Sequence, residues 1–268
     1  MLTTEELSGY LQRVGFDAGT DTTPETLAAL ARAHALSIPF ENIEAFLGRR
    51  VSLDPPAVFD KLVRRRLGGW CFEQNLLLGS ALRALGFDVT DLAGRVLWGR
   101  TADAVTPRTH RALLVRDADR QWLVDVGFGG QSITGALDMA RTDAQRVGHD
   151  CFRLSPSGSG QLLMVRIRGE WLPMYRFDLQ PQLPVDFEAA NFQLCQDPAS
   201  HFTQALMLSR AAEDGRHALR DRELAFHDQA GQTTRRSLRD SAEVLGVLES
   251  VFGLRLDAAT AQQLRAKL

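Results

Sequence analysis

The stretch Arg66–Asn75, with the sequence RLGGWCFEQN, leads directly into a strongly apolar segment that ends at Gly86. The length and spacing of this segment predict a helix that begins near Cys71. The two glycines upstream allow a tight backbone approach that a Cβ atom would obstruct. The first turn of a helix favours an anion, so a thiol placed there loses its proton more readily. Cys71 is therefore either a nucleophile or, as lone cysteines on apolar helices more often are, a small buried hydrophobic residue.

The composition of the chain excludes several classes of partner. Its 268 residues include 31 basic and 33 acidic side chains, and the net charge of −2 argues against nucleic acid and anionic membranes. No apolar run approaches the roughly 20 residues that span a bilayer, and the N-terminus lacks a secretory signal pattern. The three widely spaced cysteines fit neither a disulfide framework nor a zinc site. We expect a cytoplasmic monomer or homodimer with reduced thiols, no metal and small-molecule partners.

The first third of the chain has the spacing of helices. Thr3 and Glu6 form a capping box ahead of an apolar stripe with the spacing i, i+3, i+4, i+7, which predicts the first helix. The pairs Thr23-Pro24 and Asp54-Pro55 open two further helices, since proline is favoured at the first helical position. The helix at Cys71 is the fourth.

After residue 86 the pattern changes to that of strands and then to a mixture. The middle third predicts an antiparallel sheet or barrel, because short β-forming runs alternate with polar or glycine-rich turns. Its predicted strands are Val89–Trp98, His110–Val115, Gln121–Val126, Phe152–Leu154, Leu162–Ile167 and Leu172–Phe177. The last third predicts helices at Pro184–Phe192, after a cap at Asp240, and at about Ala258–Lys267, with strands at Ala205–Leu208 and Leu219–Phe226. We expect three domains, at 1–86, 87–183 and 184–268.

The predicted hairpin in the middle of the chain supplies a candidate base and a candidate acid. His110 opens one strand, Asp125 closes the next, and the polar turn Arg116–Arg120 between the strands brings the two ends together. An acid that accepts a hydrogen bond from one ring nitrogen leaves the other free to take a thiol proton. A surface histidine and a turn-capping acid are the alternatives. If this end of the hairpin faces Cys71, the chain holds a Cys-His-Asp triad.

Five motifs together give the chain a resemblance to the arylamine N-acetyltransferases. In this sequence they are Pro39–Asn42, Leu67–Glu73, Thr109–Val115, Asp125–Gly129, and Asn191–Phe192 followed by Pro198 and Ser200–Phe202. They occur in the order of the family and cover about residues 39 to 202. The resemblance implies an α+β fold with an N-terminal helical bundle, a central antiparallel β-barrel and a C-terminal α/β lid. The core would be similar to that of cysteine proteases and transglutaminases, with the triad where bundle and barrel meet.

The same resemblance implies a ping-pong reaction that uses acetyl-CoA as co-substrate and no metal. Cys71 takes the acetyl group and passes it to an aromatic amine, a hydrazine or a hydroxylamine. His110 carries the proton in both steps, and Asp125 holds the imidazole ring.

The resemblance also implies positions for the two substrates. By similarity to the family, Phe40, Phe128 and Phe202 form an aromatic wall for the flat acceptor. Thr109 and Gly129 are expected to contact CoA. These five residues complete the expected site.

Two residues depart from the family pattern. Leu67 replaces the arginine that precedes the two glycines, so an ion pair from that arginine to Glu41 or Glu73 is expected to be absent or to come from Arg65 or Arg66. Cys195 stands where relatives tend to have serine, and we expect a half-buried structural thiol.

Other classes of function remain open from the sequence. A thiol hydrolase or amidase would use the same Cys-His-Asp triad. A related amide synthase would keep the triad but need a larger acyl pocket. A non-catalytic binding module would leave the thiol without a chemical role.

Overall fold

The computed structural model describes all 268 residues and contains a helical bundle, a β-barrel and a lid of mixed helices and strands. The helices are α1 Thr4–Val14, α2 Pro24–Ser37, α3 Ile43–Phe46, α4 Pro55–Phe59, α5 Cys71–Ala84, α6 Glu188–Gln196, α7 His201–Gln204, α8 Ser241–Ser250 and α9 Ala258–Lys267. A π turn, Asp60–Arg64, continues α4, and a 3₁₀ turn, Pro184–Phe187, precedes α6. The α+β fold class predicted from the sequence is confirmed.

The helix caps read from the sequence form as predicted. The Thr3 hydroxyl accepts a hydrogen bond from the Glu6 amide, and the Glu6 carboxylate accepts one from the Thr3 amide, so the capping box is complete. Helix α1 ends at Gly15, whose φ of 67° is the left-handed conformation that glycine adopts without steric cost. The Thr23 hydroxyl caps α2 in the same way as Thr3 caps α1.

Helix α5 lies at the centre of the molecule. Every residue from Cys71 to Leu82 is buried, which agrees with an apolar sequence that shows no polar stripe. One side of α5 packs on α1 and α2, and the other packs on barrel residues, among them Leu113, Val115 and Val124. The helix that carries the thiol is therefore held between the bundle and the barrel.

The barrel consists of eight antiparallel strands in the order β5-β4-β3-β2-β9-β8-β7-β6. The hydrogen-bond ladder does not close between β5 and β6, but the Gln145 side chain donates to the Asp138 carbonyl and accepts from the Asp138 amide, both at 2.9 Å. The barrel is therefore nearly closed. The strands are β2 Asp88–Val96, β3 Arg108–Asp117, β4 Arg120–Val124, β5 Leu137–Asp138, β6 Gln145–Val147, β7 Asp150–Ser157, β8 Gly160–Ile167 and β9 Glu170–Phe177.

The lid contains a five-stranded sheet in the order β1-β10-β11-β12-β13, and its first strand comes from the N-terminal part of the chain. The strands are β1 Phe40–Glu41, β10 Met207–Ala212, β11 Gly215–Arg220, β12 Glu223–Asp228 and β13 Thr233–Ser237. Pairing of Phe40 with Ser209 joins the segment before α3 to the lid. Leu67 is buried with Ile43 and Phe46 against Leu248 and Leu254 of the lid, so the two parts share one apolar core.

Two strand predictions in the lid are wrong in detail. Leu219–Phe226 is not one strand, because the chain reverses between β11 and β12 at Asp221 and Arg222. Asp221 has a φ of 54°, and the turn lacks the glycine or proline that would have revealed it. The strand predicted at Ala205–Leu208 begins two residues later, at Met207.

None of the helices is both long enough and apolar enough to cross a membrane.

Candidate active site

Cys71 is the first residue of α5, and a tight bend delivers it there. Trp70, just before the helix, has extended backbone angles, and its amide donates to Glu73 Oε2 at 3.1 Å. The bend before it packs against the segment that leads into β1, because the Gly69 amide donates to the Pro39 carbonyl at 3.2 Å. A Cβ atom on Gly68 would collide with that same carbonyl. Gly68 is thus needed for close packing of two backbones, and Gly69 for close packing against the Glu73 side chain, as the position of the pair before the helix predicted.

The hairpin β3–β4 brings His110 and Asp125 together. His110 Nε2 lies 2.7 Å from Asp125 Oδ2, and both side chains are buried. Burial opposes a charge on the imidazole, but the Asp125 carboxylate outweighs it and raises the pKa of His110 to about 10, with a smaller contribution from the nearby Cys71 thiol. The bond to Asp125 occupies Nε2, so Nδ1 is the ring nitrogen left to exchange a proton with another group.

Asp125 is fully buried and satisfied by neighbours on three sides. Its Oδ1 accepts hydrogen bonds from Asn75 Nδ2 at 2.9 Å and from the Gly127 amide at 3.0 Å. Burial alone would favour the neutral acid, but His110 and these two donors outweigh it and lower the pKa of Asp125. Asp125 is therefore an ionised acceptor that orients the imidazole.

Asn75 connects the cysteine helix to β3 and to the segment that directly follows β4. It lies one helical turn after Cys71, and besides Asp125 its amide donates to the Arg111 carbonyl at 2.6 Å. Its carbonyl oxygen accepts from the Val126 amide at 3.1 Å. A single side chain of α5 thus fixes the position of the triad helix relative to the carboxylate.

Gly127 allows the barrel to approach the nucleophile. A Cβ atom on Gly127 would lie 2.6 Å from the Cys71 Cα and 2.9 Å from Asn75 Nδ2, distances that leave no room for a side chain. The Cys71 thiol itself is buried, and Sγ lies 3.8 Å from the Thr109 carbonyl, the residue before His110. The structure therefore places the side chains of Cys71, His110 and Asp125 close together.

Aromatic rings enclose the imidazole. The Tyr175 ring lies 4.7 Å from the His110 ring, and the Phe128 ring lies 5.3 Å from it on edge. Burial and the nearby charge of Asp125 raise the pKa of Tyr175. A Cβ atom on Gly94 would come within 3.0 Å of the Tyr175 ring, so the glycine in β2 makes room for this packing. Trp98, which is 43% exposed, packs edge-on against the outer side of Phe128 at 5.9 Å.

The other two predicted wall residues form a second group beside Cys71. The Phe40 and Phe202 rings are 6.2 Å apart, and Phe202 packs edge-on against Trp70 at 5.3 Å. Gly129 connects this group to Phe128, since a Cβ atom on Gly129 would lie 3.5 Å from the Phe40 ring. Phe128 therefore contacts His110, while Phe40 and Phe202 pack against the apolar core that contains Cys71.

The structure corrects two expectations about the departures from the family pattern. Neither Arg65 nor Arg66 pairs with the carboxylates near the bend, and Lys61 forms both ion pairs, at 2.9 Å to Glu41 Oε1 and 2.8 Å to Glu73 Oε1. Both arginines are exposed, and Arg65, although it lines the same small cavity as Glu41, lies 3.9 Å from Asp257 Oδ2 instead. Cys195 is fully buried instead of half-buried, because it packs in the core that contains Cys71.

Sequence reasoning assigned no role to Asn75, Tyr175 or Lys61. Asn75 had a usable signal, since its i+4 spacing from Cys71 places both side chains on one helix face. Tyr175 and Lys61 had no signal in the sequence, because each contacts the site only through tertiary packing.

Comparisons with known proteins identify the family of the chain. A family model described as N-acetyltransferase matches residues 23–261. An arylamine N-acetyltransferase from Mycolicibacterium smegmatis is 39% identical, with 98% of this chain and 97% of that protein covered. An "arylamine N-acetyltransferase / N-hydroxyarylamine O-acetyltransferase" from Salmonella typhimurium is 38% identical, with coverage of 94% and 89%.

Solved structures match over nearly the whole fold. The Mycobacterium marinum arylamine N-acetyltransferase in complex with CoA superposes with a TM-score of 0.93 at 37% identity, covering 97% of each chain. The Salmonella typhimurium enzyme superposes with a TM-score of 0.93 at 35% identity over the full length of both chains. Bundle, barrel and lid are thus shared with relatives whose sequences also match, and the protein belongs to the arylamine N-acetyltransferase family of acyltransferases.

Proposed function

We propose that the protein transfers an acetyl group from acetyl-CoA to aromatic amines, hydrazines or hydroxylamines through an acetyl thioester on Cys71. The observation that carries this proposal is the buried His110–Asp125 contact of 2.7 Å beside a cysteine at the start of a helix. The named activities of the relatives and the CoA complex of the Mycobacterium marinum enzyme support acetyl-CoA as the donor.

In the first half-reaction the thiolate of Cys71 attacks the carbonyl carbon of the acetyl thioester. A carbon–sulfur bond to Cys71 forms, the bond to the CoA sulfur breaks, and the protonated His110 gives its proton to the departing CoA thiolate. The raised pKa of His110 means that the imidazolium is available for this role at neutral pH.

In the second half-reaction the acceptor nitrogen attacks the acyl carbon of acetyl-Cys71. The carbon–sulfur bond to Cys71 breaks, the nitrogen loses its proton to His110, and the enzyme returns to its thiolate–imidazolium form. For a hydroxylamine that reacts through oxygen, the same proton path applies. Asp125 stabilises the imidazolium throughout and holds its orientation.

Three phenylalanines are proposed to hold the acceptor. Phe128 lies against His110, while Phe40 and Phe202 pack against the apolar core that contains Cys71, and we propose that a flat ring binds among them with its amino group towards the acyl carbon. Ring contacts of this kind contribute about 0.5–1.5 kcal/mol each beyond burial. Thr109, whose carbonyl lies 3.8 Å from Cys71 Sγ, and Gly129, which packs beside Phe40, remain our proposed contacts for CoA.

The organisation of the whole protein is proposed on the same basis. We keep the division into domains at 1–86, 87–183 and 184–268, with the reservation that β1 belongs to the lid sheet. A cytoplasmic location and a monomeric or homodimeric state also remain predictions.

Mass spectrometry of the intact protein after incubation with acetyl-CoA tests the proposal. We expect one acetyl adduct, mapped to Cys71 by peptide analysis and removed when an aromatic amine is added. Cys71→Ala should form no adduct, whereas Cys151→Ala, which alters a thiol in β7, should form it normally.

The same incubation separates the other functions. Release of free acetate without acetylated amine would indicate a thiol hydrolase. If no adduct forms with acetyl-CoA, the transferase assignment is contradicted. If the adduct forms on Cys195, the assignment of Cys71 as the nucleophile is contradicted.

A further inference from the structure

Lys61 is a largely buried cation held between two buried carboxylates. Its Nζ lies 2.9 Å from Glu41 Oε1 and 2.8 Å from Glu73 Oε1, and each glutamate side chain is only 2% exposed. Burial opposes the charge on the ammonium, but the two carboxylates together outweigh burial and raise the pKa of Lys61. Burial also raises the pKa of Glu73, against the pull of Lys61. The two carboxylates therefore depend on one ammonium for their charge balance.

Both carboxylates act on the backbone that presents the nucleophile. Glu73 Oε2 accepts the Trp70 amide at 3.1 Å, which anchors the residue directly before Cys71. Glu41 is anchored through Oε2, which accepts the Ile43 amide at 2.6 Å. Its own amide donates to the Gly69 carbonyl at 3.1 Å. Lys61 thus connects two residues that each hold one end of the bend from Gly69 to Trp70.

The bend is too closely packed to keep its position if these hydrogen bonds are lost. A Cβ atom on Gly69 would lie 2.7 Å from Glu73 Oε2 and 3.0 Å from the Glu73 Cβ. Gly68 packs directly on the Pro39 carbonyl, one residue before Phe40 of the proposed acceptor wall. A shift of Glu73 would therefore move the bend, and a shift of Glu41 would move the strand that carries Phe40.

Position 67 carries a leucine, so it offers no charge to the two carboxylates, and Lys61 forms the ion pairs with both. Leu67 is buried in the apolar core shared with the lid, yet it lines the same small cavity as Glu41 and Lys61. The π turn Asp60–Arg64 places Lys61 on the inner side of the backbone, and Lys61 is one of only two lysines in a chain whose other 29 basic residues are arginines. A π turn within a helical segment is often associated with function.

We propose that Lys61 is a positioning residue for acetyl transfer, which holds Glu41 and Glu73 so that the Gly68–Trp70 bend presents the Cys71 thiolate in a reactive position. It does not touch either substrate. The proposal deepens the function proposed above and rests on it. It assigns to Lys61 the charge that the family pattern places at position 67.

Lys61→Met tests the proposal with two measurements on Cys71. We expect the rate of acetylation by acetyl-CoA to fall about 10- to 100-fold, because a displacement near 1 Å at the reacting group has an effect of that size. The KM for acetyl-CoA should stay within about threefold, since Lys61 makes no contact with it. Alkylation of Cys71 by iodoacetamide should slow in parallel, and this second measurement does not require acetyl transfer.

A charge placed at position 67 distinguishes positioning from a loss of stability. In Lys61→Met/Leu67→Arg an arginine enters the cavity beside Glu41, and we expect most of the acetylation and alkylation rates to return. The control is Lys267→Met, which removes the other lysine, on α9, and should leave both rates unchanged. Circular dichroism and thermal unfolding of each variant establish that the rates are measured on folded protein.

The outcomes separate clearly. A folded Lys61→Met protein with wild-type rates would overturn the proposal. A double variant whose acetylation and alkylation stay slow would also overturn it. If Lys61→Met does not fold and the double variant does not fold either, the proposal is likewise overturned, because the arginine at position 67 should have restored the charge. If the wild-type protein forms no acetyl adduct, the proposed function fails, while the alkylation rates still decide the role of Lys61.

Discussion

His110 Nε2 lies 2.7 Å from Asp125 Oδ2, although the two residues are not opposite each other in the sheet. Leu113 pairs with Val124, so the position opposite Asp125 is Ala112, two residues after His110. Residues two apart on a strand point to the same face, and a long side chain reaches such a diagonal neighbour. The contact therefore follows from the register of the hairpin and from the end of β4 at Val124, directly before Asp125.

Asp125→Asn should slow acetylation of Cys71 by about two to four orders of magnitude, which is the usual effect when a catalytic base can no longer transfer its proton. The amide removes the negative charge that stabilises the imidazolium and can present a donor to Nε2. The measurement is single-turnover acetylation followed by intact mass. Asp138→Asn is the matched control, since the Asp138 carboxylate also accepts one side-chain hydrogen bond, from Arg120, and one backbone hydrogen bond, from the Ala140 amide, but lies at the barrel seam. Equal effects of the two variants would refute a specific role for Asp125.

The His110–Asp125 pair should make stability depend on pH in the alkaline range. The folded-state pKa of His110 is raised from the ordinary value of 6.5 to about 10, so its stabilising contribution is complete below pH 6.5 and disappears as pH rises through about 10. Urea unfolding of the wild-type protein and of His110→Gln at pH 6, 8 and 10 checks this. The stability difference between the two proteins should decrease from pH 6 to pH 10, and a difference that stays constant would contradict the raised pKa.

Asn75→Ala should lower the free energy of unfolding by about 1–3 kcal/mol, because it leaves the buried Val126 amide without a partner and removes one of the two donors to Asp125 Oδ1. It should also slow acetylation, since Asp125 loses a donor that helps keep it ionised. Ser80→Ala provides a control on the same buried helix. The Ser80 hydroxyl bonds only to the Leu76 carbonyl one turn earlier, so the variant should change neither stability nor rate appreciably. Chemical denaturation and the acetylation assay measure both quantities.

Gly127→Ala should lower stability and Cys71 reactivity far more than Gly130→Ala. The added methyl group would lie 2.6 Å from the Cys71 Cα, so α5 and the barrel must separate, at a cost of about 1–3 kcal/mol and with loss of the triad geometry. At Gly130 nothing lies within 4 Å of an added Cβ, and Gly130→Ala should be well tolerated. Thermal unfolding and iodoacetamide alkylation of Cys71 compare the two. Similar behaviour of both variants would show that the approach at Gly127 is not tight.

The longer helices and six of the eight barrel strands were predictable because their signals are local, whereas the short elements α3, α7, β5 and β6 were not predicted. Thr3, Thr23 and Asp240 act through hydrogen bonds to residues three positions away, so the cap and the helix are read from the same short segment. The reversal at Asp221 escaped prediction because charged residues occupy its turn and the flanking residues have strand character on both sides. Strand β1 also escaped it, since two residues form a strand only by pairing with β10 far along the chain.

The triad was predictable to a different degree for each member. Cys71 stands out through the glycine pair and the helix that follows, and the hairpin turn brings Asp125 back towards His110. Lys61 was missed because nothing near it in the sequence distinguishes it from the arginines that follow. The role proposed for Lys61 depends on its ion pair with Glu41, which belongs to a separate segment of the chain.

The sequence by itself determined where the helices begin, which segment forms the hairpin and which thiol stands at a helix start, because these depend on hydrogen bonds and turns between residues close in the chain. Tertiary structure alone decided that Tyr175 packs on the imidazole, that Lys61 holds two distant carboxylates and that Phe40 joins the lid sheet. Such contacts follow from burial and close packing between segments far apart in the chain, and no local pattern records which partner a buried side chain will meet.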